Sequence, residues 1–95
     1  MSERKAVRTI ISGRVQGVCF RMETEQAALR FGVTGWVRNK RDGTVEALFE
    51  GEAGDVDAMV KWCKTGPPMA SVAEVAVSEE PYTGKYRDFT IRYTA

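Results

Sequence analysis

The segment Gly13-Arg14-Val15-Gln16-Gly17-Val18-Cys19-Phe20-Arg21 carries the residue types best suited to chemistry in this chain. Its two glycines tolerate positive φ and let the backbone approach a ligand closely. Successive N–H groups in such a turn can converge on an anion, beside the positive end of a following helix. Arg21 would add a planar guanidinium fork that suits a phosphate-sized group. The same spacing also describes an ordinary tight turn with an exposed arginine. Asn39 is the second candidate. Its carboxamide can hold a water, donating through nitrogen and accepting through oxygen. It could equally satisfy the backbone of a hairpin.

The rest of the toolkit is sparse. Histidine is absent, which removes imidazole bases, histidine-ligated metals and phosphohistidine. Cys19 and Cys63 stand too far apart for a zinc knuckle or a redox pair, and a reducing cytoplasm would keep both as free thiols. Cys19 lies two residues before Arg21. Phosphatases that form a phosphocysteine place their arginine farther from the cysteine, so Cys19 is a poor nucleophile candidate. Trp36 and Trp62 read as packing residues rather than ligand platforms. What remains can bind a phosphate and orient a water. That suffices for a phosphoryl bond with a good leaving group. A departing carboxylate is the conjugate base of an acid with a pKa of about 4 and needs no general acid. The water can pass its proton to the phosphate itself, so that catalysis rests on positioning and charge stabilisation. No metal or other cofactor is called for.

These residues need elements to position them. Residues 6–12 are rich in β-branched side chains and predict a strand. After the glycine turn, Phe20, Thr24, Ala27, Ala28 and Phe31 recur on one face of a helix, and Gly32 is placed to end it in a left-handed cap. Residues 35–40 predict a second strand. Asp42-Gly43 signals a hairpin, with Lys40 and Arg41 at its solvated tip. In the return strand Val45, Ala47 and Phe49 share one face, and Thr44, Glu46 and Glu50 share the other. Val56, Met59, Val60 and Cys63 define a second helix, with Asp55 and Asp57 in its first turn and Lys61 and Lys64 in its last. Gly66-Pro67-Pro68 stops it. Ala73, Val75 and Val77 alternate as a fourth strand, and Phe89, Ile91 and Tyr93 as a short fifth. The order β-α-β-β-α-β with an extra C-terminal strand predicts an α+β sandwich of the ferredoxin-like kind, two helices covering one face of a mostly antiparallel sheet. A right-handed β-α-β crossover makes the first two strands parallel. The glycine turn and Asn39 then leave the same edge of the sheet and should face each other.

Composition agrees with such a fold. The 95 residues are 43% hydrophobic and 28% charged, which fits a single globular domain, residues 1–95. No run of apolar residues exceeds three, so neither a membrane span nor a signal-peptide core is expected, and the cytoplasm is the default compartment. The net charge is +1, but residues 1–41 hold nine Lys or Arg against three acids, and residues 42–95 hold five against ten. One region thus favours anions, without the overall basicity expected of a nucleic-acid coat.

Three separated blocks resemble the acylphosphatase family: Gly13-Arg14-Val15-Gln16-Gly17-Val18 followed by Phe20-Arg21; Gly35-Trp36-Val37-Arg38-Asn39 with Asp42-Gly43-Thr44-Val45-Glu46; and Trp62-Cys63 with Gly66-Pro67. The resemblance runs from about residue 6 to residue 94 and keeps the order and spacing of the blocks. It implies a metal-free enzyme that splits acyl phosphates into a carboxylate and inorganic phosphate. It also implies that the backbone of Val15, Gln16, Gly17, Val18, Cys19 and Phe20 binds phosphate, that Arg21 is the phosphate-binding catalytic arginine, and that Asn39 orients the nucleophilic water. The implied partner is a small acyl phosphate, with no nucleic acid and no membrane, and the protein is expected to be a monomer. Two departures stand out. Cys19 occupies a position where the family often has glycine or an aromatic, and a thiol there exposes the loop to oxidants. Phe31 replaces the usual leucine before the glycine, which touches packing.

Two other readings compete. The same topology serves RNA-recognition domains, which stack bases on aromatics of their central strands. Here the first strand has none, and the third has only Phe49, on its core face. A silent relative that senses an anion without turnover is the other, although the presence of both Arg21 and Asn39 speaks against it.

Overall fold

The computed structural model describes residues 3–95. The chain runs β1 (Arg4–Arg14), α1 (Phe20–Phe31), β2 (Thr34–Asn39), β3 (Val45–Glu52), α2 (Ala53–Thr65), β4 (Ser71–Glu80) and β5 (Phe89–Ile91). The strands form one sheet in the order β4-β1-β3-β2-β5. β3 lies antiparallel between β1 and β2, which makes those two parallel to each other, and β5 pairs parallel with β2. Both helices pack on one face, giving the ferredoxin-like sandwich. Among the described residues no helix is long and apolar enough to cross a membrane.

The core follows the period-two pattern of the strands and the apolar stripes of the helices. Val7, Ile11, Val37, Val45, Ala47 and Phe49 from the sheet meet Phe20, Ala27, Ala28, Val56, Met59 and Cys63 from the helices. Gly35 lies in register between Phe49 on β3 and Phe89 on β5. A Cβ there would come within 1.9 Å of the Leu48 carbonyl oxygen, so only glycine fits, and the two rings stack at 5.6 Å. Gly32 ends α1 with φ 74, and its N–H donates to the Ala28 carbonyl. The β2–β3 hairpin closes through a three-residue loop, with Lys40 N donating to Thr44 O at 2.8 Å and Gly43 N to Lys40 O at 3.1 Å.

Several expectations need correction. A bulge between Ser12 and Gly13 shifts the register with β4, so Val72 packs on the core while Ala73 is exposed. Tyr93 lies outside β5 and is 97% exposed. In α2, which begins at Ala53, only Asp55 lies in the first turn and only Lys64 in the last; Asp57 pairs with Lys5 instead. Glu46 and Glu50 are on the face away from the helices, as expected, yet both are buried. Glu46 accepts from Arg8 at 2.6 Å and from Arg38 at 2.7 Å. Glu50 anchors the segment that crosses from β4 at one edge to β5 at the other: it accepts from Thr83 N, Thr83 Oγ1 and Gly84 N at 2.9 to 3.1 Å.

Candidate active site

The loop between β1 and α1 is held by the side chains it buries. Val15, Val18 and Phe20 point into the core, and the Phe20 ring meets Trp62 edge-on at 5.8 Å. Gly17 and Cys19 are exposed on the outer side of the loop. Gly17 has φ 73, and Cys19 has φ 61 and ψ 23, making it the one non-glycine residue with positive φ among those described. This left-handed conformation is one that glycine adopts without steric cost. The amides of Gln16, Gly17, Val18 and Cys19 donate to no carbonyl or side chain among the described residues. They lie directly before α1, whose own first N–H groups lack intrahelical partners.

Gln16 plays a part that its position in a turn did not suggest. Its Nε2 donates to Lys40 O at 2.7 Å and to Thr44 O at 2.8 Å. The side chain therefore joins the loop to the β2–β3 hairpin at the residue after Asn39. No local pattern could have revealed this contact, because it spans elements far apart in sequence. The hairpin end is held from its other side too: Ala95 N donates to Asn39 O at 3.0 Å, and Arg41 N to Ala95 O at 2.9 Å.

Between loop and hairpin lies a cleft of about 430 Å3. Val15, Gly17, Cys19, Phe20, Arg21 and Asn39 line it, with Met22 and Ile91 at its apolar side. Of the residues singled out from the sequence, Gln16 and Val18 do not line the cleft; Gln16 braces the loop and Val18 is buried beneath it. Met22 and Ile91 were not foreseen. Arg21 is half-buried, and no carboxylate pairs with it among the described residues. Its charge is therefore open to a ligand, and it stands beside loop amides with no internal acceptor. A tetrahedral dianion satisfies both kinds of donor at once. Asn39, at the far side of the cleft, is half-buried and makes no side-chain hydrogen bond among the described residues. Cys63 is buried in the core, away from this cleft, and burial pushes its thiol pKa up to about 12. Cys19 and Cys63 are both free. No cluster of three or more His, Cys, Asp or Glu that could hold a metal ion occurs among the described residues.

Comparison with known proteins points the same way. The family profile described as Acylphosphatase matches residues 7–91. An acylphosphatase of Rubrobacter xylanophilus is 58% identical over 90 residues, covering 95% of this chain and 82% of that protein. One of Pelotomaculum thermopropionicum is 49% identical, covering 95% and 98%. The crystal structure of acylphosphatase from Bacillus subtilis superposes with a TM-score of 0.90 at 36% identity, covering 94% of this chain and 99% of that one.

Proposed function

We infer the roles of the cleft residues from one premise: the chain belongs to the acylphosphatase family, and it is a hydrolase of acyl phosphates. The phosphoryl group sits on the amides of the loop Val15–Phe20 and on the Arg21 guanidinium. Asn39 holds a water against it from the hairpin side. The water oxygen attacks phosphorus in line. As the new P–O bond forms, the bond from phosphorus to the acyl oxygen breaks, and its electron pair leaves with the carboxylate. A proton of the water passes to a phosphoryl oxygen. Products are one carboxylate and one inorganic phosphate, so atoms and charge balance without a general acid or base from the chain.

The single observation that supports this reading is the shared cleft of Arg21 and Asn39, with unpartnered loop amides beside them. Preorganised donors of this kind stabilise the charge of the transferring phosphoryl group and cost no reorganisation during reaction. On the same reading a single domain suffices. The enzyme works as a monomer in the cytoplasm, on a small acyl phosphate, with neither nucleic acid nor membrane as partner. The deciding experiment is release of phosphate from acetyl phosphate in the presence of chelator, wild type beside Arg21→Ala. Turnover that needs an added divalent metal, or that survives Arg21→Ala undiminished, defeats it.

A further inference from the structure

Strand order fixes what lies on each side of the loop. β1 stands between β4 and β3, and β2 is one strand farther on. Asn39, at the end of β2, is level with Ile11 of β1 through Val45 of β3, and thus two strand spacings, about 10 Å, across the sheet from β1. On the opposite side β4 runs antiparallel to β1 and starts level with its end, Arg14 pairing with Ser71. The segment 67–69, just ahead of β4, therefore flanks the loop on the side away from Asn39. A second cleft of about 400 Å3 opens there, walled by Val18, Pro67, Pro68 and Met69. It shares Gly17 and Cys19 with the first cleft, but neither Arg21 nor Asn39. The stretch from Gly17 to Cys19 is the ridge between the two.

In an in-line displacement the attacking and leaving oxygens lie on opposite sides of phosphorus. A water at Asn39 approaches from the β2 side, so the acyl oxygen departs toward β4. We propose that the second cleft is the acyl subsite and that it takes uncharged acyl groups bearing an apolar ring or chain. The inference rests on the reading above, because the Asn39 water sets the direction of departure. The wall residues carry no charge. Arg14 and Glu23, which also border the cleft, have opposite signs, so it offers no net charge to an acyl group carrying a carboxylate or ammonium. Met69 is 70% exposed, and its flexible, polarizable thioether can pack against rings and chains alike.

The test compares kcat/KM for benzoyl phosphate with that for acetyl phosphate, whose methyl group barely enters the cleft. Wild type, Met69→Asp, Met69→Ser, Ile91→Asp and Leu29→Asp are measured together. Ile91 borders the first cleft on the opposite side, and Leu29 is exposed on α1 and lines neither cleft. The benzoyl-to-acetyl ratio should fall on the order of tenfold in Met69→Asp, chiefly through KM. It should fall by a smaller factor in Met69→Ser and stay unchanged in Leu29→Asp. The exposure of Met69 makes both of its variants compatible with folding, which thermal melting checks. A ratio that ignores both Met69 variants, or that answers to Ile91→Asp instead, overturns the acyl subsite and leaves the hydrolytic reading standing. If wild type turns over neither substrate, both fall together.

Discussion

Gln16 and Lys40 are joined between the β1–α1 loop and the β2–β3 hairpin: the Gln16 carboxamide nitrogen donates to the Lys40 carbonyl at 2.7 Å. The loop that would hold phosphate and the strand end that carries Asn39 are thereby braced against each other. The brace does not touch the reacting atoms, so it is a positioning device, and its effect should fall on turnover more than on anion affinity. Gln16→Ala removes this bond and the companion bond to Thr44 O. A misplacement of about 1 Å between catalytic groups can cost on the order of 100-fold. We expect kcat to drop about tenfold or more, with competitive inhibition by inorganic phosphate changed far less. Loss of stability with kcat intact would reduce Gln16 to a structural tie.

Arg21 and Asn39 should separate in the same measurements. Arg21→Ala removes charge from the phosphate site, so kcat/KM and inhibition by phosphate should both weaken, the former by about 100-fold or more. Arg21→Lys should restore only part, since an ammonium lacks the planar fork. Asn39→Ala leaves the anion site complete. It should lower kcat by about 100-fold while phosphate still inhibits. Unchanged turnover in a folded Asn39→Ala protein would remove the water-holding role.

Much of this layout is legible in the sequence, for local reasons. The stripe from Phe20 to Ala28 and the left-handed Gly32 are properties of one helix. The facing of loop and Asn39 follows from the handedness of one β-α-β unit. What escapes is set by partners distant in sequence. The bulge at Ser12 and Gly13 depends on β4, whose Ser71 carbonyl would lie 2.3 Å from a Cβ at Gly13. Alternation puts Glu46 and Glu50 on the face without helices, which reads as solvent. They are buried because Arg8, Arg38, Thr83 and Gly84 come from elsewhere to satisfy them. The Gln16 brace belongs to the same class.

Cys19 holds a conformation that favours glycine, with φ 61. A non-glycine residue there carries strain of about 1 kcal/mol or more. Glycine would relieve it, but would lose about 0.5–1 kcal/mol more in backbone entropy on folding. Cys19→Gly should therefore melt close to wild type. Cys19→Val brings a β-branched side chain to a positive φ and should cost a further 1–2 kcal/mol or so, a fall of about 4–16 °C for a chain this size. Thermal unfolding followed by circular dichroism separates the three proteins. Equal melting of Cys19→Val and wild type would mean that the loop relaxes out of this conformation at no cost.

Glu46 should govern part of the acid stability. Burial acts to raise its pKa, but hydrogen bonds from Arg8 and Arg38 outweigh burial and hold it below the usual glutamate value. The Arg38 guanidinium also stacks on Trp36 at 4.8 Å, with Arg92 on the same ring at 4.7 Å, so Arg38 does not move freely away from the carboxylate. A group whose pKa is lower in the folded state stabilises the fold above its unfolded pKa. That contribution is lost as pH falls through the folded value. Removing one partner of a buried ion pair costs about 3–5 kcal/mol. Arg8 is 40% exposed, so solvent screening reduces the expected loss in Glu46→Gln to about 2 kcal/mol at pH 7. In acid the wild-type carboxyl becomes protonated and resembles the glutamine, so the two denaturation curves should converge as pH falls through the lowered folded-state pKa of Glu46. Urea unfolding at a series of pH values measures this gap directly. A gap of constant size would assign the loss to packing rather than to the charge of Glu46.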